Sequence, residues 1–377
     1  MSSGWIFHRE QGIGKQTPSA SSDFPLFDQE PLIIDITDNW LIDGKRGRRP
    51  CSHSTVNPVP RAYARALSAP PLQGARNIHP RTDARGFLWY GVISRPVRKN
   101  MLIDAHAHLD HYGDELESVL MEISQHEIFT ISNSMDPSSY RRNLEIAEKC
   151  RLVLPTFGIH PRRAPEYADH LAELGTAVEQ SPILGEIGLD HYWVEDRSQY
   201  SAQRQVLEFF LKAAKEQNKI VNLHTKGAER NVLDMLVHHD IQRAIVHWYS
   251  GPLEILRAMV DWGCTFTVGV EVLYSEHIQS IVRELPMTQV LTETDNPGGQ
   301  KWLNGTVGMP QLVHRVIQMI AELKEMNPKV VIRTIETNFA RLILNDPSLP
   351  KATQDLFTSS PTRHNLKEAE KDDFSYQ

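Results

Sequence analysis

The chain has 377 residues, 40% of them hydrophobic and 23% charged, which suits a soluble protein with a large core and excludes a fibrous or wholly disordered one. No apolar run approaches the ~20 residues of a membrane span, and the N-terminus lacks the apolar stretch of a signal peptide. Cys51, Cys150 and Cys264 form neither a metal-type spacing nor an even disulfide framework, so reduced thiols in a cytoplasmic protein are expected. The net charge of −7 is unevenly divided: residues 1–100 carry 14 Lys and Arg against 8 Asp and Glu, and the remainder 26 against 39. A body with a net charge of −13 argues against a broad nucleic-acid surface, so any phosphate substrate must be gripped locally.

Residues 1–100 hold 10 of the 23 prolines, a basic cluster at 45–49 and several Ser-rich or Pro-rich stretches. PLIIDITDNWLI is their one sustained apolar pattern. Three readings stay open: a poorly ordered extension, a basic arm for nucleic acid or a protein partner, or a segment ahead of the true start. The last arises because Met101 is the first methionine after Met1 and directly precedes the first strand pattern.

From 101 onward, strand and helix patterns alternate. Strands are predicted at 102–105, 127–132, 153–158, 183–187, 220–224, 244–248, 264–268 and 289–293, and helices at 114–125, 138–150, 165–180, 199–217, 228–238, 252–262 and 275–284. The 199–217 segment sets Val206, Phe209, Phe210, Ala213 and Ala214 on one stripe. Asp136-Pro137 opens the second helix and Gly263 follows the sixth, as helix caps do. Eight alternations in ~245 residues predict an α/β fold, a single (β/α)8 barrel over 101–346, rather than an open sheet. No Gly-rich dinucleotide fingerprint follows any of these strands. Two further helices, 310–326 and 330–344, are expected on the outside, and 347–377 reads as a disordered polar tail.

Six imidazoles and carboxylates stand at or near the carboxyl ends of these apolar runs: His106 and His108 in LIDAHAH, Glu186 in ILGEIG, His224 in IVNLH, His247 in AIVH and Asp295 in VLTETD. That end is where a parallel barrel builds its active site. His106 and His108, two apart on an extended segment, share a face. An HxH pair at a strand end is by itself a moderate signal, because a lone pair of histidines is more often structural; the other four strand-end residues add greatly to its weight. Glu186 sits in a continuous apolar run, where an unpartnered carboxylate would be costly, so it needs either a basic partner or a cation. Its two oxygens could bridge two metals about 3.5–4 Å apart. His224 and His247 are each explicable as core histidines, and together as ligands of a second ion. Asp295 can bind a metal and accept a proton from water, with Glu293 and Thr294 in support. Nitrogen and oxygen donors without thiolate suit one or two divalent cations such as Zn, Mn or Mg. Trp193, Trp248 and Tyr249 each follow a predicted strand end, where they could stack on nucleobases or simply pack the loops.

The motifs DAHAHLD at 104–110, GIHP at 158–161, GEIGLD at 185–190, LHTKGAE at 223–229, VHWYSG at 246–251, ETDNP at 293–297 and TNFARL at 337–342 give residues 101–346 a plain resemblance to the TatD family of metal-dependent deoxyribonucleases, within the amidohydrolase-like barrels. The resemblance implies that His106, His108, Glu186, His224, His247 and Asp295 are the metal ligands, and that His160 and Lys226 touch substrate phosphate. The family usually has arginine where Lys226 stands, so charge is kept and the bidentate fork lost. Trp248 and Tyr249 replace the usual cysteine and phenylalanine, Arg162 stands where a second histidine is frequent, and Pro297-Gly298-Gly299 replaces a bulky ending. HTKGAE and HWYSG are more similar to the TatD-type component of Qat anti-phage systems than to housekeeping members.

The expected function is a cytoplasmic phosphodiesterase that cleaves DNA (RNA being the other candidate), from an end, with a metal-activated water and Glu186 and Asp295 as catalytic groups. Exonuclease behaviour is implied by the resemblance alone. One rival is an amide or nucleobase hydrolase on the same barrel; such barrels often bridge their metals with a modified lysine, and ILGEIGLD offers none. Another is a non-catalytic component of a defence complex, with protein partners.

Overall fold

The structure, a computed structural model, describes residues 80–82, 88–90 and 100–358. The readings of residues 1–99 and 359–377 lie outside the described residues, apart from two strands, β1 (Pro80–Thr82) and β2 (Leu88–Tyr90), which pair antiparallel.

Eight further strands follow: β3 (Leu102–Ala107), β4 (Ile128–Asn133), β5 (Val153–Thr156), β6 (Ile183–Gly188), β7 (Ile220–His224), β8 (Ala244–Val246), β9 (Thr265–Val268) and β10 (Val290–Thr292). Every pairing among them is parallel and joins neighbours in sequence, β3 to β5 in one run and β6 to β10 in another. Two seams close these runs into the expected barrel. At the first, Phe157 bridges Leu184, and the Gly185 N–H donates to the Phe157 carbonyl at 2.9 Å. Gly158 makes this seam possible, since a Cβ there would fall 2.4 Å from the Glu186 carbonyl oxygen. At the second, the Asp295 N–H donates to His106 O at 2.9 Å and the His108 N–H to Asn296 O at 2.7 Å. All six residues of β3, of β4 and of β6 are buried, as strands covered on both faces must be.

Outside lie α1 (Leu116–Gln125), α2 (Pro137–Lys149), α3 (Ala164–Tyr167), α4 (Gly175–Gln180), α5 (Tyr200–Gln217), α6 (Glu229–His238), α7 (Leu253–Trp262), α8 (Glu276–Glu284), α9 (Gly298–Asn304), α10 (Leu312–Leu323), α11 (Pro328–Ile343) and α12 (Lys351–Thr358). The caps fall as expected. The Asp136 carboxylate accepts from the Ser138 and Ser139 amides ahead of α2, and Gly263 takes the left-handed conformation (φ 96°) after α7. In α5, Val206, Phe210 and Ala214 are buried.

Two expectations need correction, and one helix was not foreseen. The helix predicted over 165–180 is broken into α3, a 3-10 stretch Ala168–Leu174 in which His170 is non-helical, and α4. Its sequence places Gly175, a weak helix former, at the junction. The Pro297-Gly298-Gly299 segment, for which no element was predicted, caps and starts the helix α9. The tail is not disordered throughout: α12 buries Phe357, whose ring centroid lies 5.2 Å from those of both Phe129 and Phe339. Among the described residues, no helix is long and apolar enough to cross a membrane.

Candidate metal centre

The strand ends deliver the six candidate ligands selected from sequence to one place. His106 lies within β3, His108 just after it, Glu186 in β6, His224 at the end of β7, His247 one residue past β8, and Asp295 three residues past β10. Two register irregularities help to aim them, one between Asp104 and Ala107 and one between Leu184 and Ile187. They bracket His106 and Glu186, and a local slip of this kind re-aims side chains beside a site. Asp295 itself has left-handed backbone (φ 50°), held by its N–H bond to His106 O.

Glu186 stands at the centre, 2% exposed. Its Oε2 lies 3.5 Å from His106 Nε2 and 3.3 Å from His108 Nε2, and these two nitrogens lie 3.8 and 3.4 Å from Asp295 Oδ1. Its Oε1 lies 2.9 Å from His224 Nδ1, 3.5 Å from His160 Nε2 and 3.6 Å from His247 Nε2. Three ligand-type groups result: His106 with His108 and Asp295, His106 with Glu186 and His247, and His160 with Glu186 and His224, with donor atoms within 4.8 Å of one another in each.

The far nitrogens of these rings explain their orientation. His106 Nδ1 donates to Asn222 Oδ1 at 3.0 Å, an acceptor because Asn222 Nδ2 itself donates to Ala105 O. His108 Nδ1 donates to the Asn133 carbonyl, and His247 Nδ1 to Glu293 Oε2, both at 3.0 Å. Each bond places a ring proton on Nδ1 and turns Nε2 to the centre, where the neutral ring offers its lone pair. A carbonyl, amide or carboxylate holding the outer nitrogen is how metal-binding imidazoles are commonly fixed. His224 is turned the other way, with Nδ1 inward and Nε2 3.3 Å from Asp190 Oδ2. His160 differs in kind: its Nδ1 accepts the Arg162 amide at 3.1 Å, so in the neutral ring Nε2 carries the proton and donates.

Burial opposes charge throughout the centre. It takes His160 down to about 3 and His247 to about 4, keeping both neutral, and lifts Glu293 to about 8. Burial also works against Glu186, but His160 and His106 outweigh it and hold the carboxyl well below its usual range. His108 and His224 go against burial too: Asp295 and Glu186 hold the first well above its ordinary value, and Asp190 and Glu186 hold the second at about 9. Inward-facing lone pairs of nitrogen and oxygen, with no sulfur, fit a divalent cation, which would replace the protons now shared between imidazole and carboxylate.

Lys226, chosen from sequence for phosphate, donates from Nζ to Ser250 Oγ at 2.6 Å and lies 5.7 Å from the Tyr192 ring centroid. Tyr249 is a packing residue rather than a stacking surface: it is 3% exposed, meets Phe266 edge-on and donates from its hydroxyl to Pro252 O. Asn222 and Asp190 were not singled out from sequence. A polar residue inside the apolar run IVNLH, and a second acid closing GEIGLD, were the available signals. Trp302, on α9, was also missed.

A closed parallel barrel with this donor set at its strand ends defines a metal-dependent hydrolase. The family model described as TatD related DNase matches residues 103–344, and the chain belongs to that family. Its relatives include an uncharacterized metal-dependent hydrolase of Methanocaldococcus jannaschii, 27% identical over 248 residues, which cover 64% of this chain and 96% of the relative. The human deoxyribonuclease TATDN3 is 25% identical over 260 residues, covering 64% of this chain and 94% of that protein. Among solved structures, the TatD homologue YJJV of Escherichia coli matches at TM-score 0.59 and 27% identity, over 64% of this chain and 97% of that one. A TatD family hydrolase of Entamoeba histolytica shares the fold at TM-score 0.57 and 16% identity, over 66% of this chain and 99% of that one.

Proposed function

We propose that this chain is a phosphodiesterase that cleaves DNA from an end, using two divalent cations. One observation carries the two-ion reading: the two oxygens of Glu186 address different groups, Oε2 facing His106 and His108 and Oε1 facing His224 and His247. His106, His108 and Asp295 would hold one ion, His224 and His247 the other, with Glu186 between them. Bound there, Mg, Mn or Zn would supply Lewis acidity toward a phosphoryl oxygen and make water acidic near neutrality.

The remaining chemistry belongs to the side chains. Asp295 is 22% exposed where Glu186 is 2%, so it is the carboxylate that meets solvent and can take the proton of the attacking water. His160, neutral and with its proton on Nε2, donates a hydrogen bond to a phosphate oxygen. Lys226 contributes positive charge as a point contact, without the fork of an arginine. The named activity of the human relative supports DNA as substrate.

Among the described residues the one buried lysine, Lys219, precedes β7 and donates to Val178 O and Glu179 O, so it offers nothing to the amide-hydrolase alternative. Two buried free thiols, Cys150 and Cys264, fit a reducing, cytoplasmic setting. The test is a panel of end-labelled single- and double-stranded DNA and RNA run beside small amides and nucleobases. Cleavage confined to the amides or nucleobases would overturn the proposal. A role in anti-phage defence, suggested by the HTKGAE and HWYSG segments, is tested separately by plaque counts with and without active protein.

A further inference from the structure

Three large aromatic side chains stand open beside the centre, Tyr192 at 61%, Trp193 at 43% and Trp302 at 52% exposed. They are reached from the ligands in short steps. The His247 ring is 6.2 Å from Trp248, Trp248 is 6.1 Å from Trp302, and Trp302 is 5.9 Å from Trp193, centroid to centroid. The two tryptophan pairs meet edge to face, at 78° and 86°, rather than stacking face on face, and both Trp193 and Trp302 remain about half exposed.

Both tryptophan supports are built onto the centre itself. The Asp190 carboxylate that faces His224 through Oδ2 accepts the backbone N–H groups of Tyr192 and Trp193 on Oδ1, at 3.1 and 2.7 Å. On the other side, the Gly299 N–H donates to Asp295 O at 2.7 Å. A Cβ on Gly299 would lie 3.0 Å from Trp248 and 3.2 Å from Asp295 Cβ, so only glycine lets α9 come this close. Trp302 follows three residues later. The Trp248 indole N–H is taken by Glu271, which leaves that ring fixed as a wall.

Building on the phosphodiesterase reading, we infer that Trp302, with Trp193 beside it, is a nucleobase platform that selects unpaired strand ends. A body with net charge −13 supplies no general attraction for a polyanion, so the grip on a strand must come from local contacts. Stacking on aromatic faces is such a contact, and it is indifferent to sequence. Bases paired inside a duplex do not present their faces; those of a single-stranded or frayed end do. Trp302 and Trp193 would thus seat the base of a nucleotide adjoining the scissile phosphate.

The experiment compares end-labelled single strands carrying normal terminal nucleotides with strands abasic at those positions, and with a blunt duplex. Wild type is expected to favour the base-bearing strand by about five-fold or more, the lower end of what one base–aromatic stack is worth. W302A should bring that ratio near unity, chiefly through KM, and W302F should retain most of it. W193A carries the same comparison should W302A fail to fold. An undiminished ratio in W302A and W193A, equal cleavage of both strands by wild type, or a blunt duplex cut as fast as a single strand overturns the platform alone. A wild type that cleaves no strand at all overturns the phosphodiesterase reading beneath it.

Discussion

Glu293 Oε2 lies 3.0 Å from Nδ1 of His247, and both side chains are buried. The same carboxylate accepts the Trp248 N–H and the Thr267 hydroxyl, so a residue outside the proposed ligand set fixes one of its imidazoles. Glu293→Gln keeps an acceptor but removes the ionisable carboxyl. It is expected to weaken divalent-cation affinity by about 10-fold or more, as loss of such orienting partners does. Calorimetric titration of the metal-stripped protein reads this directly, and unchanged affinity would show that His247 needs no such support.

Glu186→Ala removes both oxygens on which the two groups of ligands converge. Hydrolysis should be abolished and bound metal reduced, as measured by turnover and elemental analysis of the same preparation. Near-normal turnover with full metal content would sink the bridging role.

The barrel was legible in the sequence because fully buried strands leave apolar runs, and because the candidate ligand residues end those runs at equivalent places. What was not legible depends on contacts between distant segments. The short α12 carries little apolar periodicity and is ordered where Phe357 meets Phe129 and Phe339. A Pro-Gly-Gly sequence gives no helix signal, yet α9 starts there because Gly299 alone fits against Trp248 and Asp295. At the centre the ligand-type residues could be chosen by type and position. The supports Asn222 and Asp190 could not, since a polar residue acquires that meaning only from its partner across the barrel. Tyr249 shows the converse, an aromatic beside the site that turns inward to the core.

Phosphate recognition should rest on few basic contacts. With two phosphates neutralised on a single strand, the log–log dependence of binding on salt should have a slope of roughly −1.4. Lys226→Ala should raise KM or lower turnover with metal content intact, and Lys226→Arg should preserve activity in part. A steep slope unaffected by Lys226→Ala would place phosphate recognition elsewhere.

Phe357→Ala tests whether α12 is part of the folded body. A fully buried phenylalanine truncated to alanine typically destabilises by about 3–5 kcal/mol, which a urea or thermal unfolding curve resolves. A change within about 0.5 kcal/mol, the range of ordinary surface substitutions, would make the helix dispensable.

The central claim is cation-dependent cleavage of DNA by the centre around Glu186. It is tested most directly by stripping the full-length protein with chelator, verifying metal loss, and assaying end-labelled single-stranded DNA with Mg, Mn and Zn added separately. No cleavage by the stripped protein, restored by at least one cation in wild type and by none in Glu186→Ala, is the expected result. Cleavage that persists in verified metal-free protein, or its absence with every cation, would contradict the claim.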